Sequence, residues 1–302
     1  EEEISDFLGQ EKTLLFSTGY QANLGVIKTL VNRGDSIFSD KLNHASLIDG
    51  SIISRANFKR YRHNDCESLE NLLNESKSKS NLVVSDSLFS MDGDIANLQK
   101  IYSKVQNNGG LLLVDEAHAL GVYGENGRGL VNKSSLNKKL NTFITGTFGK
   151  AVGTFGAFFS GDKDSVDYII QKARSYIYST SLPINAVEAT RKSLKIVEEE
   201  NWRREKLFSL INYFRKNINK SGFSALDSSS QIQALLIGSS KDALYLSEEL
   251  FKNGIYIPAI RPPTVEEGKS RLRISITTDH QESDIDHLIN ILHTISRNLV
   301  QS

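Results

Sequence analysis

Short apolar runs alternate with amphipathic stretches along the first half of the chain. The runs end in polar or small residues, as buried strands do, and the stretches between them space apolar residues three or four positions apart, as helices do. This alternation predicts a mostly parallel seven-stranded sheet sandwiched by helices. The predicted strands are Leu14–Phe16, Ser36–Ser39, Phe58–Arg62, Asn81–Ser87, Leu111–Asp115, Asn141–Thr147 and Gly156–Ser160. The predicted helices include Tyr20–Asn32, Ala45–Ser54, Ser68–Asn74 and Leu98–Asn107.

The pattern changes in the second part of the chain. One long amphipathic segment from Ile184 to Lys220 predicts a continuous helix, and a smaller α+β lobe follows it. We place the domain boundary within that helix, with a large α/β domain at 1–190 and a small C-terminal domain at 191–302. The elements predicted for the small lobe are strand Gln231–Ile237, helix Asp242–Lys252, strands Gly254–Ile257 and Arg271–Thr277, and helix Glu282–Leu299.

Composition and charge exclude several classes of protein. Lys and Arg total 36 and so do Asp and Glu, so there is no net basic charge to bind nucleic acid or an anionic membrane. The single cysteine, Cys66, cannot build a thiolate zinc site or an intramolecular disulfide, and we expect a cytoplasmic protein without a bound metal. No apolar stretch approaches the roughly 20 residues that span a bilayer.

Lys150 stands in a turn of small residues between two predicted strands. Its neighbours include Gly149, Ala151 and Gly153, so we expect little room for a solvated side chain. Burial lowers the pKa of a lysine and makes its amine a nucleophile suited to Schiff-base chemistry. From this segment alone, an ordinary loop lysine is an equally good interpretation.

A second motif, Asp115-Glu-Ala-His118, ends a buried strand at the sheet edge where open α/β proteins bind ligands. A pyridoxal phosphate (PLP) site needs a carboxylate at the pyridine nitrogen, a donor near the phenolic oxygen and a lysine for the aldehyde. Asp115, His118 and Lys150 have this chemistry, although Asp115 alone is more readily a helix cap and His118 alone a turn residue. The motif also occurs in nucleic-acid-dependent ATPases, but the phosphate loop that those enzymes require is absent.

Three further segments lie where a strand gives way to a turn or helix. Gly19 and Tyr20 begin a helix, whose free amides either bind phosphate or belong to a simple capped helix start. His44 opens another helix and either stacks on a planar ring or caps the helix. Ser90 follows a strand and either hydrogen-bonds a cofactor or belongs to a turn.

Two arginines, Arg271 and Arg273, alternate on one face of a predicted strand in the small lobe. A guanidinium binds a carboxylate with two parallel hydrogen bonds, but strand arginines also bridge surface acids. Both interpretations remain open from these residues alone.

Together the motifs resemble the α-oxoamine synthases, which are fold-type-I PLP enzymes, over essentially the whole chain. The segments that carry the resemblance are Phe-Ser-Met-Asp-Gly-Asp at 89–94, Val-Asp-Glu-Ala-His at 114–118, Thr-Phe-Gly-Lys at 147–150 and Ile-Tyr-Ser-Thr-Ser at 177–181. Ala-Ile-Arg-Pro-Pro-Thr-Val at 259–265, followed by Ser-Arg-Leu-Arg, resembles the branch of the family that serves biotin biosynthesis.

The resemblance implies a role for each candidate residue. Lys150 binds the PLP aldehyde, Asp115 pairs with the pyridinium nitrogen, and His44 stacks on the ring. The implied catalytic residues are Lys150, His44, Asp115 and His118. The implied cofactor-binding residues are Gly19, Tyr20, His44, Ser90, Asp115, His118, Thr147 and Lys150, together with Ser179 and Thr180 from a neighbouring subunit. The implied substrate-binding residues are His44, Arg261, Thr264 and Arg273.

The implied reaction is a decarboxylative condensation of L-alanine with a pimeloyl thioester, carried by CoA or by a carrier protein, in a homodimer. The alternatives are a glycine C-acetyltransferase-like synthase and a truncated or non-catalytic member, although Lys150 speaks against a non-catalytic one. Two features depart from the family. The segment that usually precedes the helix at Glu1 is absent, so we expect the native chain to begin earlier. Glu266 stands where this branch often has proline.

Overall fold

The computed structural model describes residues 1–301, and for residues 298–301 the backbone alone. These residues form two compact units. The first contains Glu1–Phe89 and Ala96–Glu200, and the second contains Ser90–Ile95 and the chain from Asn201 onward. The sequence placed the division at residue 190, whereas the first unit extends to Glu200 and the short segment Ser90–Ile95 belongs to the second. Within the described residues, no helix has both the length and the apolar character needed to cross a membrane.

The first unit contains one sheet and the helices that cover it. Its strands are β1 (Lys12–Phe16), β2 (Ser36–Asp40), β3 (Asn57–Tyr61), β4 (Asn81–Asp86), β5 (Leu111–Asp115), β6 (Thr142–Thr147) and β7 (Ala157–Gly161). Its helices are α1 (Glu2–Leu8), α2 (Gly19–Leu30), α3 (Ala45–Ser54), α4 (Cys66–Asn74), α5 (Leu98–Asn107), α6 (Leu130–Lys133), α7 (Lys163–Lys172), α8 (Arg174–Ile177) and α9 (Ile184–Glu199).

The sheet has the strand order β1-β7-β6-β5-β4-β2-β3. The five strands β6, β5, β4, β2 and β3 run parallel to one another, and β7 is antiparallel to both β1 and β6. The predicted mostly parallel seven-stranded sheet is therefore confirmed. In the ladder, Asp115 is level with Asp86 on one side and with Thr145 on the other. Polar side chains from three strands thus meet at the carboxyl edge of the sheet.

The core of this unit explains why its strands are continuous apolar runs. Leu112, Leu113 and Val114 of β5 have no exposed surface, because both faces of the strand are covered. Helix α2 packs Val26 and Ile27 against the same sheet. The sequence did not predict α7 or α8. Only two side chains of α7 are buried and none of α8, so their apolar signal is weak.

The second unit is a three-stranded antiparallel sheet with helices. Its elements are α10 (Asn201–Asn217), β8 (Ile232–Gly238), α11 (Ser240–Lys252), β9 (Ala259–Ile260), β10 (Ser270–Ser275) and α12 (Glu282–Gln301), and the strand order is β8-β10-β9. The α+β architecture predicted for the small lobe matches these elements.

Two predicted elements are wrong. The long helix is two helices, α9 and α10, because the backbone leaves the helical region at Glu200, with φ −98° and ψ 65°. The predicted strand Gly254–Ile257 is the turn and irregular segment that follow helix α11. Gly254 takes a left-handed conformation with φ 79°, and the N–H of Ile255 donates to the carbonyl of Leu250 at 2.9 Å, which closes α11. The strand begins only at Ala259.

Candidate active site

The carboxyl edge of the parallel strands gathers the polar groups of the first unit. Strands β2, β4 and β5 end in Asp40, Asp86 and Asp115, and β6 ends in Thr147. Because the ends of parallel strands meet at one edge, these side chains approach one another there. Helix α2 begins near the same edge, since the Cβ of Thr147 lies 3.7 Å from the position that a Cβ on Gly19 would take.

The Asp115 carboxylate is held on both oxygens. Its Oδ2 accepts a hydrogen bond from the Asn23 amide at 2.7 Å, and its Oδ1 accepts the N–H of Ala117 at 2.8 Å. The Asn23 carbonyl accepts the Thr145 hydroxyl at 2.7 Å. Asn23 and Thr145 were not predicted from the sequence. A polar residue on the buried face of α2 was the only available signal for Asn23.

Lys150 and His118 are brought together as the combined motifs predicted. The Lys150 Nζ lies 2.8 Å from the His118 Nε2. The prediction that Lys150 has little room is wrong, because its side chain is exposed. Gly149 and Ala151 are exposed beside it, and residues with little or no side chain cannot enclose a long amine. The turn leaves the amine accessible to a ligand.

His44 caps helix α3, so one of the two predicted interpretations is observed. The ring Nδ1 of His44 accepts the backbone N–H of Ser46 at 3.2 Å. The backbone N–H of His44 donates to the Asp86 carboxylate at 2.7 Å. Although His44 keeps much of its surface exposed, loss of water around the ring lowers its pKa; Asp115 raises the pKa and Lys150 lowers it further. Asp115 and Lys150 therefore both act on the same imidazole. Stacking of His44 on a ring stays a prediction.

Asp86 is a buried acid at this edge that the sequence did not single out. It is 3% exposed, and burial and the nearby Asp115 raise its pKa well above the usual range. Its position is set by His44 and by Asn43, whose side-chain carbonyl accepts the Asp86 N–H at 2.9 Å. Its signal in the sequence was its place at the end of a strand next to β5.

Gly19 and Thr147, two of the predicted phosphate-binding residues, are neighbours. The hydroxyl of Thr147 donates to the carbonyl of Gly156 at 3.1 Å and accepts the N–H of Gly149 at 3.3 Å. The side chain of Thr18 caps α2 by accepting the N–H of Gln21 at 3.1 Å. The backbone N–H groups of the first turn therefore point out of the N-terminal end of the helix. Tyr20, the next residue, is half exposed.

Ser179 and Thr180 lie in the exposed segment between α8 and α9 of the first unit. With Ser17 and Gln21 they line a surface cavity of about 410 Å³, close to the start of α2. Their predicted contribution to the site of a neighbouring subunit stays a prediction.

The remaining predicted residues belong to the second unit, and their roles stay predictions. The Nε of Arg273 donates to the carbonyl of Ser90 at 2.6 Å, and burial lowers the pKa of the guanidinium. Arg271 forms an ion pair with Asp92, so it belongs to the framework of this unit. Arg261 and Thr264 are exposed and form a turn in which the Thr264 N–H donates to the Arg261 carbonyl at 3.0 Å. Their contacts with the substrate stay a prediction.

Comparisons with known proteins agree with this arrangement. A model of the aminotransferase class I and II family matches residues 1–292. The chain is 47% identical over 297 residues to the 8-amino-7-oxononanoate synthase of Saccharophagus degradans, an alignment that covers 98% of this chain and 75% of the relative.

Solved structures give the same result. A serine palmitoyltransferase from S. paucimobilis with a PLP–myriocin adduct has a TM-score of 0.95 at 31% identity, and the alignment covers 100% of this chain and 76% of that one. The 8-amino-7-oxononanoate synthase of Francisella tularensis has a TM-score of 0.87 at 32% identity, over 99% of this chain and 87% of that one. The chain belongs to the aminotransferase class I and II family and, within it, to the 8-amino-7-oxononanoate synthases.

Proposed function

We propose that this chain catalyses the condensation of L-alanine with a pimeloyl thioester to give 8-amino-7-oxononanoate, a step of biotin biosynthesis. A bond forms between the alanine Cα and the thioester carbonyl, the carrier thiol leaves, and the alanine carboxylate departs as carbon dioxide. The observation that carries the proposal is the pairing of the Lys150 amine with His118 at the edge where Asp115 is held. The family membership narrows that chemistry to this reaction.

Pyridoxal phosphate is the cofactor, and the residues present fit it. The edge offers a buried carboxylate, an exposed lysine amine and a helix start without a side chain at its first residue, as the three parts of the cofactor require. When bound, the group stabilises negative charge at the amino-acid Cα.

In our proposal each residue holds one part of the cofactor. Asp115 would hold the pyridine nitrogen in its protonated form through its negative charge, and Asn23 and the Ala117 amide fix the orientation of its carboxylate. The amides of Gly19 and Tyr20 and the hydroxyl of Thr147 hold the phosphate. Lys150 binds the aldehyde carbon.

Lys150 also moves a proton. With alanine bound in the site, the Lys150 Nζ would take the proton from the alanine Cα. The His118 Nε2, 2.8 Å from that amine, keeps the amine at the reacting carbon. The exposure of Lys150 fits this role, because the substrate must reach the amine.

We propose that the enzyme is a cytoplasmic homodimer. Several large apolar side chains of the first unit are exposed, including Ile52 at 59%, Tyr178 at 72% and Ile184 at 81%. A large contiguous apolar patch is typical of a protein–protein interface, and we propose that these side chains contribute to one. Sedimentation of the purified protein should give twice the mass of the chain.

The proposed reaction is tested by mass spectrometry of the products formed from L-alanine and pimeloyl-CoA, with pimeloyl carrier protein as a second donor. We expect 8-amino-7-oxononanoate and one free thiol for each carbon dioxide released. Two other pairs distinguish the alternatives: glycine with acetyl-CoA, and serine with palmitoyl-CoA, the latter chosen because a serine palmitoyltransferase is a close structural neighbour. Faster turnover of either pair would contradict the proposal.

A further inference from the structure

Asn23 forms a buried junction within the first unit. Its side chain is 1% exposed and uses all of its hydrogen-bonding groups. The carbonyl accepts the Thr145 hydroxyl at 2.7 Å, and the amide donates to Asp115 at 2.7 Å and to the Ser46 hydroxyl at 2.9 Å. Three segments far apart in the sequence, carrying Ser46, Asp115 and Thr145, therefore meet at one amide.

The direction of each hydrogen bond in this junction follows from its partners. A carboxylate only accepts hydrogen bonds, so the Asn23 NH₂ group must face Asp115 and its carbonyl must face Thr145. The second amide hydrogen donates to the Ser46 oxygen. The hydroxyl hydrogen of Ser46 then remains to donate to its other neighbour, the His44 Nδ1 at 2.8 Å.

The tautomer of His44 follows in turn. Its Nδ1 faces two donors, the Ser46 hydroxyl at 2.8 Å and the Ser46 backbone N–H at 3.2 Å. A nitrogen that accepts from a backbone N–H carries no proton, so the neutral ring carries its hydrogen on Nε2. The lowered pKa of His44 agrees with a neutral ring.

We infer that Asn23 and Ser46 are positioning residues that fix the Asp115 carboxylate and the His44 tautomer through one hydrogen-bond chain. The inference rests on the proposed function, since Asp115 and His44 have roles only in that site. While these hydrogen bonds are in place, His44 is a hydrogen-bond donor through Nε2. A group that contacts Nε2 during the reaction must therefore accept a hydrogen bond, and Nε2 does not act as a base.

The tautomer is measured from the ring ¹⁵N shifts of His44 in PLP-loaded protein labelled at histidine. His44→Asn identifies its signals among the six histidines. We expect Nδ1 to be unprotonated and Nε2 to be protonated. A protonated Nδ1 would overturn the inference. Because this measurement needs no substrate, a protein with the expected tautomer but no condensation product would contradict the proposed function and leave the inference standing.

Substitutions test separately the His44 end and the Asp115 end of this hydrogen-bond chain. Ser46→Ala removes the hydroxyl donor but leaves the backbone N–H, so Nδ1 should stay unprotonated and its signal should move toward that of a more weakly hydrogen-bonded nitrogen, while Ser46→Thr keeps the hydroxyl and the original signal. Asn23→Ala should also weaken PLP binding by about tenfold to a hundredfold, because Asp115 loses a charged hydrogen bond. An unchanged Nδ1 signal in Ser46→Ala, or unchanged PLP affinity in Asn23→Ala, would contradict the inference. If Asn23→Ala does not fold, the Ser46 pair decides alone.

Discussion

Asp115 and Glu116 are neighbours at the end of β5, but they lie in different surroundings. Asp115 is bonded to the amide of Asn23 at the carboxyl edge of the sheet. Glu116 has no exposed surface and accepts hydrogen bonds from the Ser87 hydroxyl and from the backbone at the start of α6, Leu130 and Val131. In our proposal the same sequence motif supplies one group for chemistry, Asp115, and one group for structure, Glu116.

Glu116 fixes the loop that leads into α6. The Leu130 N–H donates to it at 3.0 Å, and the preceding Gly129 has φ 95°. A side chain at Gly129 would strike the Glu116 carboxyl, since its Cβ would lie 2.8 Å from Oε2. Burial raises the pKa of Glu116 to about 7, although these hydrogen bonds lower it. Its acid is therefore costly to ionise, unlike a surface carboxylate.

The largest expected effect separates the two acids by activity. Asp115→Asn should reduce kcat about a hundredfold or more, because the neutral amide no longer holds the pyridine nitrogen protonated. Steady-state kinetics at saturating PLP, with bound PLP measured by absorbance, test this. Glu116→Gln is the matched control and should keep turnover per folded molecule. Full activity in Asp115→Asn would contradict the proposal that Asp115, unlike Glu116, takes part in the chemistry.

Glu116→Gln should remove part of the pH dependence of the free energy of unfolding. The folded-state pKa of about 7 exceeds the ordinary value of 4.5. Between these values the folded protein binds a proton that the unfolded chain does not, so the free energy of unfolding falls as the pH rises through this window. A shift of this size corresponds to roughly 3 kcal/mol between pH 4 and pH 8.

Urea denaturation at several pH values, comparing the original protein with Glu116→Gln, measures this contribution. Asp86 also has a raised pKa and is present in both proteins, so only the difference between the two curves reports on Glu116. Parallel curves would show that Glu116 titrates normally and that its burial has no energetic consequence.

The smallest expected effect concerns Ser87. Its hydroxyl lies 3.1 Å from the Glu116 carboxyl and 3.0 Å from the Asp115 carbonyl. Ser87→Ala should lower the free energy of unfolding by about 1 kcal/mol, as expected for one buried hydrogen bond. The same urea denaturation measures it. A large loss of turnover without loss of stability would mean that the Glu116 side of β5 also takes part in the chemistry.

The sequence predicted the fold of the first unit well because its signal is local. The run Leu111–Asp115 has the predicted bounds because its apolar pattern is continuous, and the helix Ala45–Ser54 also has the predicted bounds, although it exposes Ile52 and Ile53. The break at Glu200 was missed because the amphipathic pattern continues on both sides of it. A non-helical backbone at a single residue leaves little trace in periodicity.

The site was predictable where residue type alone suggests chemistry. Lys150 and His118 were predicted to belong to one site, and their contact at 2.8 Å follows from two strands ending at one edge. Asn23 and Thr145 were missed because amides and hydroxyls are common and their partners lie far away in the sequence. The sequence does not predict the exposure of Lys150, because small neighbours also occur in tightly packed turns.

The central claim is that Lys150 binds the aldehyde of PLP at the edge where Asp115 lies. Borohydride reduction of the PLP-loaded protein, followed by digestion and mass spectrometry, tests it most directly, because reduction fixes the cofactor on the lysine that held it. Lys192→Ala, which removes an exposed lysine on α9, is the matched control. We predict phosphopyridoxyl on Lys150 in the original protein and in this control, and none in Lys150→Ala. Label on another lysine of the original protein would contradict the account.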